Sequence, residues 1–338
     1  MLVFVLKRFG MLILVLIGVT LITFMVSHVI PADPAKIAAG PRSRPEQVET
    51  IRKELGLDKP LYQQYLIYIS GIVRGDLGKS IASRRPVMKD IMDFFPATLE
   101  LVIFAILIEL LFGIPMGIIS ARYHNSLIDH SSRLIALIGV SMPLFWLGIL
   151  FQILFYGKFG WLPAEGRLDI LLAPPTKITG MYIFDSLFTG NWQTLLNSLK
   201  HIILPVFTLA FGSLAIVSRI LRSSMLEVMH QDYILTARAK GLKEISVITN
   251  HAFKNAMIPT VTVVGLQVGA LMGGVFLIEV IFDWPGMGLY AIRSITNLDY
   301  FAIMGVTVVV ATIYVVINFI VDIIYSILDP RISVSGKK

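Results

Sequence analysis

The sequence predicts an all-α polytopic membrane protein with six transmembrane helices, and three observations predict it. Hydrophobic residues fill 56% of the 338 positions and charged ones only 15%, and the mean hydropathy is +0.78. The apolar residues are gathered in long, nearly charge-free blocks, whereas a water-soluble chain would spread them at periods of about 2 or 3.6. A helix rising about 1.5 Å per residue needs about 20 such residues to cross a hydrocarbon core of about 30 Å. The blocks have that length.

The first block, Phe9 to Ile30, follows Lys7 and Arg8 and contains no Lys, Arg, Asp or Glu. It exceeds the roughly 7–15 apolar residues of a signal-peptide core and reads as an uncleaved span. Residues 31–96 form a polar region with two helical patterns. In the first, Ser43 and Glu46 have capping-box spacing, Pro45 marks a start, Val48, Ile51 and Leu55 share a face, and Gly56 is a stop. In the second, Tyr62, Leu66, Ile69 and Val73 form one stripe that ends near Gly75. Such helices lie on a membrane surface or cap the mouth of a pathway. Five further blocks follow at 97–120, 134–156, 202–221, 258–282 and 301–325, making a core domain of 97–325. Pro115, Pro143 and Pro205 interrupt spans two, three and four and predict bends there. Tyr156 and Trp161 read as interfacial anchors.

Six spans put both termini on one side, and basic residues say which. The segments before Phe9, at 122–133, at 219–254 and after Asp329 carry 13 Lys and Arg, against 4 and 1 in the loops after spans three and five. An excess of basic residues marks short cytoplasmic segments, and the region 31–96, with 11 basic residues, exceeds the length of about 60 to which that rule applies. The N-terminus (1–8), the segment 219–257 and the C-terminus (326–338) are therefore assigned to the cytoplasm, and the regions 31–96 and 157–201 to the outside.

Several chemistries are excluded by what is missing. The chain has no cysteine, hence no disulfide framework and no thiolate metal site. The run Gly75-Asp-Leu-Gly-Lys-Ser80 ends like a phosphate-binding loop, but Val73 stands where that motif needs its first glycine. The histidines, His28, His124, His130, His201, His230 and His251, lack metal-ligand spacing. Neither a nucleophile elbow nor a facing pair of intramembrane aspartates is present. The chain reads as a passage, not an enzyme, and no nucleic-acid partner is expected.

The segment 219–257 is too long and too patterned for a simple connector. Asp232 reads as the cap of a helix over 233–240, Gly241 as a C-terminal turn, and a second helix runs from about Glu244 to Met257. Small Ala237 and Ala239 beside Gly241 would let another protein's backbone approach, while Arg238, Lys240 and Lys243 would meet acidic groups or anionic lipid. On span five, Gly265, Gly269 and Gly273 recur at four-residue spacing, with Gly274 adjacent, giving a smooth face for helix packing or for the pathway. Glu279, nearer the outer end, either lines the pathway or reaches the interface. Glu109 lies mid-span, where a charge costs about 2.5–3.5 kcal/mol on insertion scales, so it must face protein or water.

These residues carry a resemblance. The run Asp232-Tyr-Ile-Leu-Thr-Ala-Arg-Ala-Lys-Gly-Leu242, followed by His251, Ala252, Asn255, Ala256, Ile258 and Pro259, resembles the glycine-centred cytoplasmic loop of permease subunits in the peptide and nickel family of ABC importers. The broader importer pattern differs at Leu235 and at His251 to Lys254, so the likeness is to this family in particular. Pro31-Ala-Asp-Pro34, Leu55-Gly-Leu57, Gly75-Asp-Leu-Gly78, Pro96-Ala-Thr-Leu-Glu100 and Leu328-Asp-Pro-Arg-Ile332 resemble further landmarks, although Ala32 replaces the commoner Gly. The likeness spans nearly the whole chain and is strongest to the first permease subunit of a dipeptide system.

The resemblance implies the type I permease fold of ABC importers, a place in the bacterial inner membrane, and work within an assembly. Its partners would be a second homologous permease, two cytoplasmic ATPases, an extracytoplasmic binding protein, a peptide substrate and membrane lipid. No cofactor would sit on this chain, ATP and Mg being held by the ATPases. Asp232, Tyr233, Thr236, Ala237, Arg238, Ala239, Lys240, Gly241 and Leu242 would couple the ATPase to the spans. Nickel or another small solute is the alternative cargo, and a stand-alone channel or carrier the alternative class.

Overall fold

The computed structural model describes residues 2–29, 33–40 and 42–328. The first two residues of the Pro31 motif, the ending after Leu328 and most of the assigned C-terminus lie outside the described residues. In chain order the helices are α1 (Leu2–Val29), α2 (Pro34–Ala39), α3 (Pro45–Glu54), α4 (Leu61–Val73), α5 (Val87–Arg122) and α6 (Leu127–Ser141). There follow α7 (Leu144–Lys158), α8 (Tyr182–Thr189), α9 (Trp192–Met229), α10 (Asp232–Ala239), α11 (Glu244–Ile281), α12 (Met287–Thr296) and α13 (Tyr300–Leu328). No strand is named among the described residues; Lys79 and Pro86 form an isolated bridge.

Five helices, α1, α5, α9, α11 and α13, are long and apolar enough to cross a membrane. The third predicted span is not a straight rod. It is the pair α6 and α7, bent by 109°, and it makes a sixth crossing if the pair is one broken span. Pro143 causes the break: it denies the ladder an N–H and pushes Met142 into extended backbone (φ −82°, ψ 129°). Pro115 and Pro205, by contrast, are carried inside the unbroken helices α5 and α9.

The described residues form two compact units, one of residues 99–284 with 320–328, the other of residues 2–98 with 285–319. In the first, α9 is the central helix: 72% of its most apolar window is buried within the chain, against 17–28% for the other four straight spans. Small residues let its neighbours come close. A Cβ on Gly117 of α5 would sit 2.9 Å from the Ser218 carbonyl oxygen, and one on Gly139 of α6 would sit 3.1 Å from the Phe211 carbonyl oxygen. The turn of α7 over Gln152–Lys158 is π-helical. It is fastened by the Gln152 amide, which donates to the carbonyls of Ala164 at 2.9 Å and Ile281 at 3.0 Å.

In the second unit Phe24 of α1 packs against Tyr65 and Tyr68 of α4 and against Tyr300 and Met304 of α13. The predicted helix over Val48–Leu55 is present as α3 and stops at Gly56 (φ +67°). Its cap is not the expected one. Arg44 is the N-cap residue, its N–H donating to Gln47 at 3.0 Å, while Ser43 turns back to the Gly40 carbonyl at 2.8 Å. On α4 the stripe Tyr62, Leu66 and Val73 is exposed, and it is Tyr65 and Tyr68 that face the protein. Ser80, the end of the phosphate-loop look-alike, donates to buried Asp299 at 2.5 Å, which also accepts from the N–H groups of Ala82 and Ala302. That run is structural.

Candidate functional site

Most of the segment 219–257 is not loop. Helix α9 continues past the apolar block to Met229, α11 begins at Glu244, and only the turn at 230–231, α10 and the turn at 240–243 lie between them. The second predicted helix thus runs on without a break into span five, passing through a π-helical turn at Val247–Ala252. Ile234 and Ala237 of α10 pack with Leu221 and Met225 of α9, Val247, Ile248, Ala252 and Ala256 of α11, and Ala121 of α5. This core clamps α10 across the ends of two spanning helices. Ala237 therefore faces inward and offers no surface to another protein, contrary to expectation; Ala239 does. The cap is also one residue earlier than predicted, at Gln231, so Asp232 is the first helical residue, where its charge favours the helix N-terminus.

The turn after α10 is a Schellman motif. The Leu242 N–H donates to the Ala237 carbonyl at 3.4 Å and the Gly241 N–H to the Arg238 carbonyl at 2.9 Å, with Gly241 left-handed at φ +76°. A Cβ there would meet nothing within 4 Å, so glycine is demanded by the backbone angle and not by crowding within the chain. Arg238 bridges the turn: its Nη2 and Nε lie 2.7 Å and 3.2 Å from the two carboxylate oxygens of Glu244. It was expected to meet an acidic group or anionic lipid, and the acid it meets is Glu244 of the same chain. The Asn255 amide of α11 donates to the Tyr233 hydroxyl of α10 at 2.9 Å, and Thr236 donates to the Asp232 carbonyl. Around Gly241 this leaves Tyr233, Leu235, Leu242 and Ile245 exposed, with Lys240 and Lys243, which make no ion pair among the described residues.

Above this hairpin lies an ion pair that the sequence reading missed. Asp129 of α6, 0% exposed, takes the Arg222 guanidinium of α9 in a bidentate grip, with Nε to Oδ1 at 2.6 Å and Nη2 to Oδ2 at 2.7 Å. Ser120 of α5 donates to the same carboxylate at 2.6 Å, as does the Asn125 N–H at 3.0 Å. Three helices are tied at one point. Glu109 is 1% exposed on the α5 face that carries Gly113 and Gly117, so it faces protein as predicted, and its Oε1 has no hydrogen-bond partner.

The glycine face of span five divides. A Cβ on Gly265 would lie 2.4 Å from Val321 of α13, so that glycine serves packing within the chain; Gly269 is buried, and Gly273 is exposed with open space beside it. Glu279 is 0% exposed and so reaches no interface in this conformation. At the same end of the unit, Glu100 of α5 accepts from Arg167 at 2.5 Å and from the Ile183 N–H at 2.8 Å. The Arg167 guanidinium lies 3.7 Å from the Tyr182 ring centre and 5.4 Å from that of Trp284. Nearby Asp185, 1% exposed, accepts from the Thr179 hydroxyl and from the N–H groups of Ile178, Thr179 and Gly180. Burial pushes its carboxyl up, but these donors outweigh burial and hold it below the usual carboxylate range. No group of three metal-ligating side chains occurs among the described residues.

Residues 113–334 match the family model described as the inner membrane component of binding-protein-dependent transport systems, and residues 1–102 match its N-terminal companion. A probable D,D-dipeptide transport system permease of Escherichia coli K12 is 50% identical over 325 residues, 96% of each chain. A dipeptide transport system permease of Alkalihalophilus pseudofirmus is 45% identical over 98% of this chain and 99% of its own. A di/tripeptide transport system permease of Pseudomonas aeruginosa is 43% identical over the same shares.

Proposed function

The chain belongs to the family of inner membrane components of binding-protein-dependent transport systems, and from that membership we propose that it is one of two permease subunits of an ATP-driven dipeptide importer. It is a multi-pass inner-membrane protein that works with a substrate-binding protein and other subunits. The observation that carries the substrate class is 43–50% identity, across nearly the whole chain, to permeases named for dipeptides or di/tripeptides. Those names favour peptide over the nickel alternative.

In this reading the termini and the α10 hairpin lie in the cytoplasm, as the basic residues argue, and an ATPase subunit holds the exposed surface around Gly241. A push on that surface cannot be absorbed locally. The α10 core, the Arg238–Glu244 bridge and the Asn255–Tyr233 bond make the hairpin one body with the ends of α9 and α11. Closure of the ATPase pair would therefore tilt both helices and carry Gly269, Gly273 and Glu279 with them. Open space at Gly273 suits a second permease or the pathway; Glu109 and Glu279 become pathway groups only if another conformation uncovers them.

The deciding experiment is uptake into vesicles holding the assembled complex and its binding protein, with di-, tri- and longer peptides and nickel compared. ATP-dependent dipeptide uptake supports the reading. Nickel uptake without peptide uptake overturns the substrate, and uptake without ATP overturns the class.

A further inference from the structure

Three buried carboxylates in the unit that holds α5 and α9 are met by donors. Asp129 accepts from Arg222, Ser120 and the Asn125 N–H, Glu100 from Arg167 and the Ile183 N–H, and Asp185 from Thr179 and three backbone N–H groups. Glu109 of α5 is as buried as these, at 1% exposure, and its Oε1 has no hydrogen-bond partner. The polar side chain that faces it is Ser213 of α9. The single proton of that hydroxyl is already given to the Ala210 carbonyl, at 3.0 Å, so Ser213 can only accept from Glu109. Nor does a cation offset the group. The nearest ionisable side chains are Glu100 and Arg122 along α5, His201 and Arg219 along α9, Arg133 on α6, and Lys254 and Glu279 near the ends of α11, and none of them acts on this carboxyl.

An ionised carboxylate here would be a buried charge with no donor and no counter-ion, a state that such groups escape by taking up a proton. As the acid, Glu109 has an O–H to give and Ser213 is placed to receive it. We propose that Glu109 is a neutral carboxylic acid in this conformation, that its O–H donates to Ser213, and that this bond latches α5 to α9 until the helices part. The contact around it is close: a Cβ on Gly113, one turn further along α5, would lie 3.2 Å from the Leu214 carbonyl oxygen and from Val217 Cγ1. Water therefore reaches Glu109 only when α9 moves away from α5. The proton then passes to water, and the hydrated carboxylate left behind resists return to the dry contact. Alkaline medium favours the parted helices, by up to about tenfold per pH unit for one proton released, and acid medium the latched ones. The protonation stands on the geometry; its link to transport rests on the importer reading, in which closure of the ATPases tilts α9.

The test is infrared spectroscopy of the assembled complex in vesicles at neutral pH, with Glu109→Gln as the reference because its amide is an uncharged isostere that still donates to Ser213. The parent should show the carbonyl stretch of a protonated carboxylic acid, missing from Glu109→Gln at an unchanged thermal midpoint and shifted in Ser213→Ala. Holding the ATPases closed with a non-hydrolysable ATP analogue should abolish the band. Dipeptide uptake by the parent should change severalfold between mildly acid and mildly alkaline medium, and Glu109→Gln should lose that dependence. The proposal is overturned if the parent and Glu109→Gln share one carbonyl spectrum, if the band survives the ATP analogue, or if the two pH profiles coincide. A Glu109-dependent band in a complex that imports no dipeptide overturns the importer reading and supports the neutral acid.

Discussion

Replacing Gly241 separates two reasons for having glycine there. At φ +76° any L-residue is strained by about 1–2 kcal/mol, a cost that Ala and Trp share and that Asn, at home in left-handed backbone, largely escapes. Because a Cβ meets nothing within 4 Å, Ala does not clash within the chain and a Trp side chain leaves the backbone into open space. Both should lower the thermal midpoint of the purified complex by only a few degrees. They differ in what they present to a partner. If an ATPase closes over this turn, Trp must wedge it open, and losing one well-packed contact of that kind costs about 2 kcal/mol or more, roughly thirtyfold in affinity. Transport and peptide-stimulated ATPase activity of the reconstituted complex are the assay. Asn and Ala should stay within a few-fold of the parent, with Trp losing both activities at normal chain stability. If Trp behaves as Ala does, the turn is not a docking surface and the coupling argument fails.

Three further outcomes follow from the geometry. Arg222→Leu leaves the buried Asp129 carboxylate with only Arg133, at 3.8 Å, as a cationic neighbour and should cost about 3 kcal/mol in thermal stability, while Asp129→Asn combined with Arg222→Leu should recover much of it. Gly117→Ala pushes against the Ser218 backbone and should destabilise the purified chain, whereas Gly273→Ala should leave its thermal midpoint unmoved; a loss of permease pairing in the latter alone would mark the Gly273 face as an interface. Asp185 has a folded pKa below its unfolded value, so its contribution is present above about pH 3.9 and disappears as pH falls through the folded value. Amide exchange at 178–181 should accelerate in that acidic range, and Asp185→Asn should show fast exchange at neutral pH as well.

Hydropathy found the crossings because lipid demands continuous apolar stretches, but it measures contact with lipid and not helix. Residues 222–229 read as connector and 244–257 as a helix separate from span five. The absence of glycine and proline from 222–229 was the available signal that α9 continues, whereas Pro259 lies inside α11 and gave no hint that the helix runs on. The bend at Pro143 was legible as a bend; its size was not, since it depends on what α6 and α7 pack against. Within the candidate site the Gly241 turn and Tyr233 could be read from local chemistry. The Asp129–Arg222 and Glu100–Arg167 pairs could not, because their partners stand 93 and 67 residues apart and a positive-inside count treats each charge alone. Ala237 was misplaced for a related reason: small size suits close approach from either side, and only the buried neighbours Leu221 and Ile248 decide which.

The burial of α9 bears on how the chain is made. A helix that gives most of its surface to protein is poorly matched to bare lipid, and its Ser, Thr and His side chains make it the least apolar of the five straight spans, with a hydropathy of 1.9. When α9 leaves the ribosome, α5, α6 and α7 already exist but α11 does not, so for the time needed to synthesise residues 230–281 one side of the central helix has no permanent neighbour. For that interval lipid or another protein must cover that side. A nascent chain arrested in that interval should be the form most readily degraded.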